Sequence, residues 1–254
     1  MRNNSVPPQP DAEISQAVIL AAGQGQRLRE GNANSALKPL TPVLGVSLLE
    51  RAVRSCQAAG ISECYVVVGY GKEQIGPYVA ELAARYDTHL HTVDNPCWPE
   101  GNGTSALVVE PYIHGPFLLL MCDHIFDVAI LLKLMTASRR TDACLLAVDR
   151  RIAQIFDRED ATKVRLDGRL ITAIGKDLTC FDAIDTGLFL CRAALFEALA
   201  RARVQGDGSL SGGIRQLIAS AMIQAMPIGD RFWLDIDTPE SLAYAECSLL
   251  KAPR

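Results

Sequence analysis

Chemistry is first suggested by two glycines and two cations: Gly23-Gln24-Gly25-Gln26-Arg27, and then Lys38. Glycine has no Cβ, so a turn built on it lets backbone N–H groups close on phosphate oxygens. Two cations beside such a turn would clamp a polyphosphate. Two better-known phosphate loops do not fit. The dinucleotide loop wants a third glycine where Leu28 stands, and residues 64–70 offer no acidic partner for a ribose. The P-loop wants Gly-Lys-Ser/Thr, and the chain has Leu37-Lys38-Pro39. Without the cations, Gly-x-Gly reads as an ordinary strand-to-helix turn.

Three carboxylates are the next candidates. Asp123 follows the apolar run 117–122, where a charge is poorly solvated. Asp235 and Asp237 lie two apart in what reads as a strand-to-helix turn, and residues i and i+2 of a strand share a side. Mg²⁺ is content with one or two carboxylates plus substrate phosphates. The plainer readings are a turn residue for Asp123 and a helix cap before Thr238-Pro239 for Asp237. No nucleophile motif is present. Cys122-x-His124 is the only close Cys/His pair, so no zinc site is expected, and His124 reads as a neighbour of the ligands or a group facing substrate.

Hydrophobic period gives the elements that must hold these residues. Residues 17–22, 64–68, 88–93, 117–122 and 143–148 read as strands, and 47–59, 74–86 and 128–138 as helices between them. Strands alternating with helices predict an α/β fold with a Rossmann-like, mostly parallel mixed sheet sandwiched by helices. After residue 149 the rhythm changes. Two short strands flank Asp167-Gly168, a hairpin signal, and predict a small antiparallel insertion. Residues 183–191 read as a further strand, 193–203 as a helix, and Gly206, Gly208, Gly212 and Gly213 as a mobile loop. A flexible tail is expected over 1–16 and a single domain over 17–254.

Composition narrows the function classes. Hydrophobic residues make up 49% and charged residues 21%, as in ordinary globular chains. The net charge of -4, with no basic run, argues against nucleic acid and anionic membrane surfaces as partners. No apolar run is long enough to insert in a membrane. Eight scattered cysteines without a Cys-x-x-Cys pair, and no secretory signal, lead to the expectation of a cytoplasmic protein with reduced thiols.

Leu20-Ala21-Ala22-Gly23-x-Gly25-x-Arg27 with Lys38-Pro39 resembles the signature of nucleotidyltransferases that make nucleotide sugars and CDP-alcohols. Glu100 to Ser105, Met121-Cys122-Asp123-His124, Ala161-Thr162-Lys163-Val164, Ile174-Gly175-Lys176-Asp177-Leu178, Asp185-Thr186-Gly187 and Trp233 to Thr238 are similar to the CTP:inositol-1-phosphate cytidylyltransferase family, in its order. The resemblance implies a nucleotide-diphospho-sugar transferase fold, with CTP and a phosphorylated cyclitol or sugar as partners, and specifically transfer of a cytidylyl group from CTP to inositol 1-phosphate, giving CDP-inositol and pyrophosphate. It implies Mg²⁺ held by Asp123 and Asp235. Arg27, Lys38 and Lys176 would serve the reacting phosphates, with Lys176 also binding the acceptor. Leu20, Ala21, Ala22, Gly23, Gly25, Asn95, Gly101, Asn102 and Ser105 would bind the nucleotide, and Asp185 and Thr186 the ring hydroxyls. A homodimer stays open, and the product is expected to pass to a separate membrane transferase. The competing readings are a nucleotidyltransferase of other nucleotide specificity and a catalytically silent nucleotide-binding subunit.

Overall fold

The computed structural model describes residues 14–30, 36–86 and 88–251. Residues 1–13 of the expected tail lie outside these. At its end Ile14 is buried and Gln16 opens the first strand, so packing begins before residue 17.

The first half of the chain comprises β1 (Gln16–Ala21), α1 (Gln26–Glu30), β2 (Pro42–Val43), β3 (Val46–Ser47), α2 (Leu48–Ala58), β4 (Glu63–Val68), α3 (Lys72–Tyr86), β5 (His89–Asp94), α4 (Asn102–Leu107) and β6 (Phe117–Met121). It is followed by β7 (His124–Phe126), α5 (Ala129–Ser138), β8 (Cys144–Asp149), β9 (Lys163–Asp167), β10 (Leu170–Gly175) and β11 (Ala183–Cys191). The chain then runs through α6 (Ala194–Val204), α7 (Leu210–Ala219), β12 (Ile223–Pro227), β13 (Trp233–Asp235) and α8 (Pro239–Lys251).

Nine strands form one sheet in the order β5-β4-β1-β6-β11-β8-β12-β10-β9. β5, β4, β1 and β6 run parallel, as do β12 and β8, while β11 runs antiparallel between β6 and β8. Side-chain alternation along β1 feeds two cores. Ala17, Ile19 and Ala21 pack with α2, α3 and α5, and Val18 and Leu20 pack with α4, α6 and α7. A strand buried on both faces is apolar along most of its length, which is why residues 17–21 of β1 and 144–148 of β8 read as unbroken apolar runs. α2 begins where the Ser47 hydroxyl accepts from the Glu50 amide, and its stripe of Leu48, Leu49, Ala52, Val53 and Cys56 is buried.

The predicted hairpin turns at Gly168, with φ of +59°. It extends the main sheet: β10 pairs with β12, and β9 pairs with both β10 and β11. The expected mobile glycine loop is corrected at two positions. Gly212 and Gly213 lie inside α7, and a Cβ on Gly213 would stand 2.5 Å from Leu199 Cδ2. Gly213 there serves close packing of α7 on α6, while a Cβ on Gly212 would meet the Asp207 carboxyl carbon at 2.5 Å. Beside the main sheet, β7 and β13 form a two-stranded antiparallel ribbon, and Leu28, Val43, Leu48, Ile125, Leu234, Ile236 and Ala245 form a third core that ties it to α8. Among the described residues, no helix is long and apolar enough to cross a membrane.

Candidate functional site

The glycine turn leaves the carboxyl end of β1, and Asp123 follows β6, its neighbour in the sheet. Open sheets bind ligands at that edge. The ribbon completes the cluster. Its register sets Asp235 opposite His124, and the Ile236 amide donates to the Asp123 carbonyl at 3.0 Å. Two carboxylates far apart in sequence are thereby fixed side by side. Lys38 opens a short 3-10 turn, is buried, and reaches both segments. Its ammonium lies 2.5 Å from Asp123 Oδ2 and bonds Asp237 Oδ1.

The electrostatics follow from this packing. Burial alone would lower the Lys38 pKa, but Asp123, Asp235 and Asp237 more than reverse it, so the ammonium is held charged. Burial raises the Asp123 carboxyl, yet Lys38 and His124 bring it below its ordinary value. Asp235 is pushed up, by burial first and by the Asp123 charge. His124 would lose its proton on burial alone, and the two carboxylates raise it to about 9. His124 Nδ1 lies 2.7 Å from the Thr186 carbonyl, closer than the 3.2 Å to Trp233 Nε1. The proton is therefore placed on Nδ1, donating to Thr186. His124 Nε2 then faces Asp123 Oδ1 and Asp235 Oδ1, each at 3.6 Å. Gly187, with φ of +68°, makes room for this ring, since a Cβ would lie 2.3 Å from His124 Cε1.

A divalent cation fits this cluster. One ligand atom each of Asp123, His124 and Asp235 lies within 4.8 Å of the others. Asp235 Oδ1 is buried and makes no hydrogen bond among the described residues, His124 Nε2 standing 3.6 Å away. Such an oxygen is costly to leave unpaired, and an ion would satisfy it.

Two cavities meet here. One, of about 380 Å³, is lined by Leu20 to Arg27, Lys38, Trp98, Asn102 and Ser105. The other, of about 420 Å³, is lined by Arg151, Gln154, Phe156, Lys176, Asp185 and Tyr244 among others. Asn102, Met121, Asp123 and Asp237 line both. Gly25, with φ of +60°, packs directly on Lys38, for a Cβ there would lie 2.5 Å from Lys38 Cβ.

The structure thus brings Leu20, Ala21, Ala22, Gly23, Gly25, Arg27, Lys38, Asn102, Ser105, Asp123, Asp185, Lys176 and Asp235 to one cleft. It corrects others. Asn95 is buried away from the lining of either cavity, and both its amide hydrogens are spent on Thr104 and Ser105 while Oδ1 accepts from the Cys97 amide, so it is placed to shape the wall and not to read a base. Gly101 is a backbone contact: with φ of +131°, its Cβ would lie 2.7 Å from the Gly208 carbonyl. Thr186 is buried with its hydroxyl donating to the Ala147 carbonyl, so it offers no ring contact. Asp237 is no cap: the Thr238 hydroxyl accepts from the Ser241 amide and frees Asp237 for Lys38 and Arg27. Arg27 and Lys176 are held by a residue the sequence did not flag. Asp160 pairs with Arg27 at 2.7 Å and with Lys176 at 2.6 Å. Trp98, Arg151, Phe156 and Tyr244 also escaped notice. Only Trp98 carried a signal, as a rare residue three positions before Gly101.

The mixed sheet and its cleft define a nucleotide-diphospho-sugar transferase fold. The inositol-1-phosphate CTP transferase of T. maritima superposes with a TM-score of 0.83 at 22% identity, covering 96% of this chain and 99% of that one. Residues 17–225 match the MobA-like NTP transferase domain, and the chain belongs to that family. The "Bifunctional IPC transferase and DIPP synthase" of Rubrobacter xylanophilus is 35% identical over 232 residues, which are 91% of this chain and 51% of that protein. Its namesake in Archaeoglobus fulgidus is 28% identical over 240 residues, 94% of this chain and 45% of that one. The chain spans about half the length of the curated relatives it matches.

Proposed function

We propose that the protein transfers a cytidylyl group from CTP to inositol 1-phosphate, releasing pyrophosphate. One observation carries this reading: Lys38, buried between Asp123 and Asp237, stands where the two cavities meet. An acceptor phosphate in one cavity and a triphosphate in the other would both approach its ammonium. The inositol and cytidine assignments are supported by the names of the relatives.

The chemistry asks little covalent help of the protein. A phosphate monoester, with a second pKa near ~6, is mostly dianionic at neutral pH and attacks without a general base. One of its oxygens bonds to the α-phosphorus of CTP as the bond to the bridging oxygen breaks, and pyrophosphate leaves with that electron pair. The obstacle is repulsion between two polyanions, which costs about 1 kcal/mol per charge pair at 4 Å in water and several times that in a drier cleft. Lys38 counters it at the α-phosphorus. The turn at Gly23 and Gly25 offers backbone donors to the triphosphate, Arg27 steadies the leaving pyrophosphate and Lys176 the incoming phosphate. The Arg27 and Lys176 side chains are about half exposed, and their pairs with Asp160 are of the weak surface kind that phosphates readily replace. Asp123 and Asp235 would hold Mg²⁺, which when bound neutralises triphosphate charge. The test is pyrophosphate release with four NTPs against inositol 1-phosphate and sugar 1-phosphates. CTP with inositol 1-phosphate should give the highest kcat/KM, and preference for UTP with glucose 1-phosphate would overturn the assignment.

A further inference from the structure

The second cavity contains a cation that the reaction above leaves idle. Arg151 comes two residues after Asp149, which ends β8 and is buried. Asp149 Oδ1 accepts from the Arg151 amide at 2.8 Å and from Nε at 3.0 Å, and Oδ2 accepts from Nη2 at 2.8 Å. Nη2 also donates to the Arg231 carbonyl at 2.6 Å. The guanidinium is therefore fixed along two edges. Among the described residues Nη1 has no partner, although Arg151 lines the cavity and its side chain is 26% exposed. For stability alone this is a poor arrangement, since an apolar pair of similar volume does as well as a buried ion pair. An arginine fork locked from behind, with free donors toward a cavity, suits recognition of an oxygen-rich ligand.

The rest of the wall matches one ligand chemistry. Asp185 accepts from the Gly187 amide through Oδ1, and among the described residues Oδ2 has no partner. Gln154 can both donate and accept. Phe156 and Tyr244 touch, with ring centroids 4.9 Å apart, and form an apolar side. A cyclitol presents hydroxyls at its rim, each able to donate and accept, and C–H groups on its faces. A fixed donor, a free acceptor and an aromatic wall are complementary to that. Resting on the acceptor reading of the preceding subsection, we propose that Arg151, positioned by Asp149, determines acceptor specificity by donating from Nη1 to a ring hydroxyl of the cyclitol phosphate.

The test is a substrate-by-variant cycle with wild type, Arg151→Met and Arg151→Lys, using inositol 1-phosphate and its monodeoxy analogues. Arg151→Met should raise KM for inositol 1-phosphate by about 10–100-fold, the worth of a hydrogen bond to a charged group, and leave KM for CTP within about twofold. One deoxy analogue should be poor with wild type and no poorer with Arg151→Met. Arg151→Lys should fall between, because an ammonium donates without the fork, and it carries the test if the Met variant fails to fold. An unchanged KM for inositol 1-phosphate, or an equal penalty across all deoxy analogues, overturns the inference. Failure of the wild type to turn over inositol 1-phosphate refutes the acceptor reading itself, and this inference with it.

Discussion

Replacing Gly25 with alanine tests the site without altering any charge. At φ of +60° an alanine is strained by about 1–2 kcal/mol. The added Cβ would also lie 2.5 Å from Lys38 Cβ, 3.0 Å from Cδ and 3.2 Å from Cγ. Restoring ordinary contact demands a displacement of about 1 Å. Lys38 has little freedom to give it, because it is buried and its ammonium is held between Asp123 and Asp237. A misplacement of that size at a reacting centre costs about 100-fold in rate. Stability should fall as well, by about 2–4 °C in Tm per kcal/mol for a chain of this size. Pyrophosphate release and thermal melting read the two effects separately. Gly23→Ala is the comparison: among the described residues no atom beyond its chain neighbours lies within 4 Å of its Cβ position, so its Tm should match wild type, and any lost activity there reports on ligand contact. A folded Gly25→Ala enzyme with kcat within about threefold of wild type would refute the role given to Lys38 packing.

Further outcomes can be stated briefly. Lys38→Met should lower kcat by about 100-fold or more, the scale for losing one charge-stabilising group, with the circular dichroism spectrum preserved; a loss under about tenfold would count against it. Asp235→Asn should weaken the activating divalent cation by about tenfold or more in Mg²⁺ titrations, and an unchanged midpoint would remove Asp235 from the ion site. Burial pushes Asp185 up to about 6 from its ordinary 3.8, so between those values the folded state binds more protons than the unfolded one. Wild-type stability should therefore decline as pH rises through that window, and Asp185→Asn should melt higher than wild type above about pH 6 but equally near pH 4, as paired melting curves would show.

Local features were readable from sequence because local physics sets them. The apolar run of β1, the turn at Gly25 and the helical period of α2 depend on a few consecutive residues. Neighbouring residues misled where strand parity intervened. Asp185 and Thr186 are adjacent in β11 and point to opposite faces, so only Asp185 could reach the cavity. Within Glu100 to Ser105, Asn102 and Ser105 do line the cleft, but Gly101 and Gly103 are shaped by contact with Gly208 and Ser209, which a one-dimensional reading cannot see. Asp160 and Arg151 had no signature, since their meaning arises only when strand order carries them to Arg27, Lys176 and the second cavity. Asp237 reads equally well as cap or ligand until Thr238 is seen to take the cap.

The β7–β13 ribbon works as a clasp between two remote parts of the chain. The stretch that matches the family ends at residue 225, whereas Asp235 and Asp237 lie beyond it. The glycine turn, Lys38 and Asp123 come from the first half of the chain, and one side of the charge cluster comes from its far end. Were Trp233–Asp235 to part from His124–Phe126, Lys38 would face Asp123 without Asp237. The charge cluster is therefore whole only while this three-residue seam is closed.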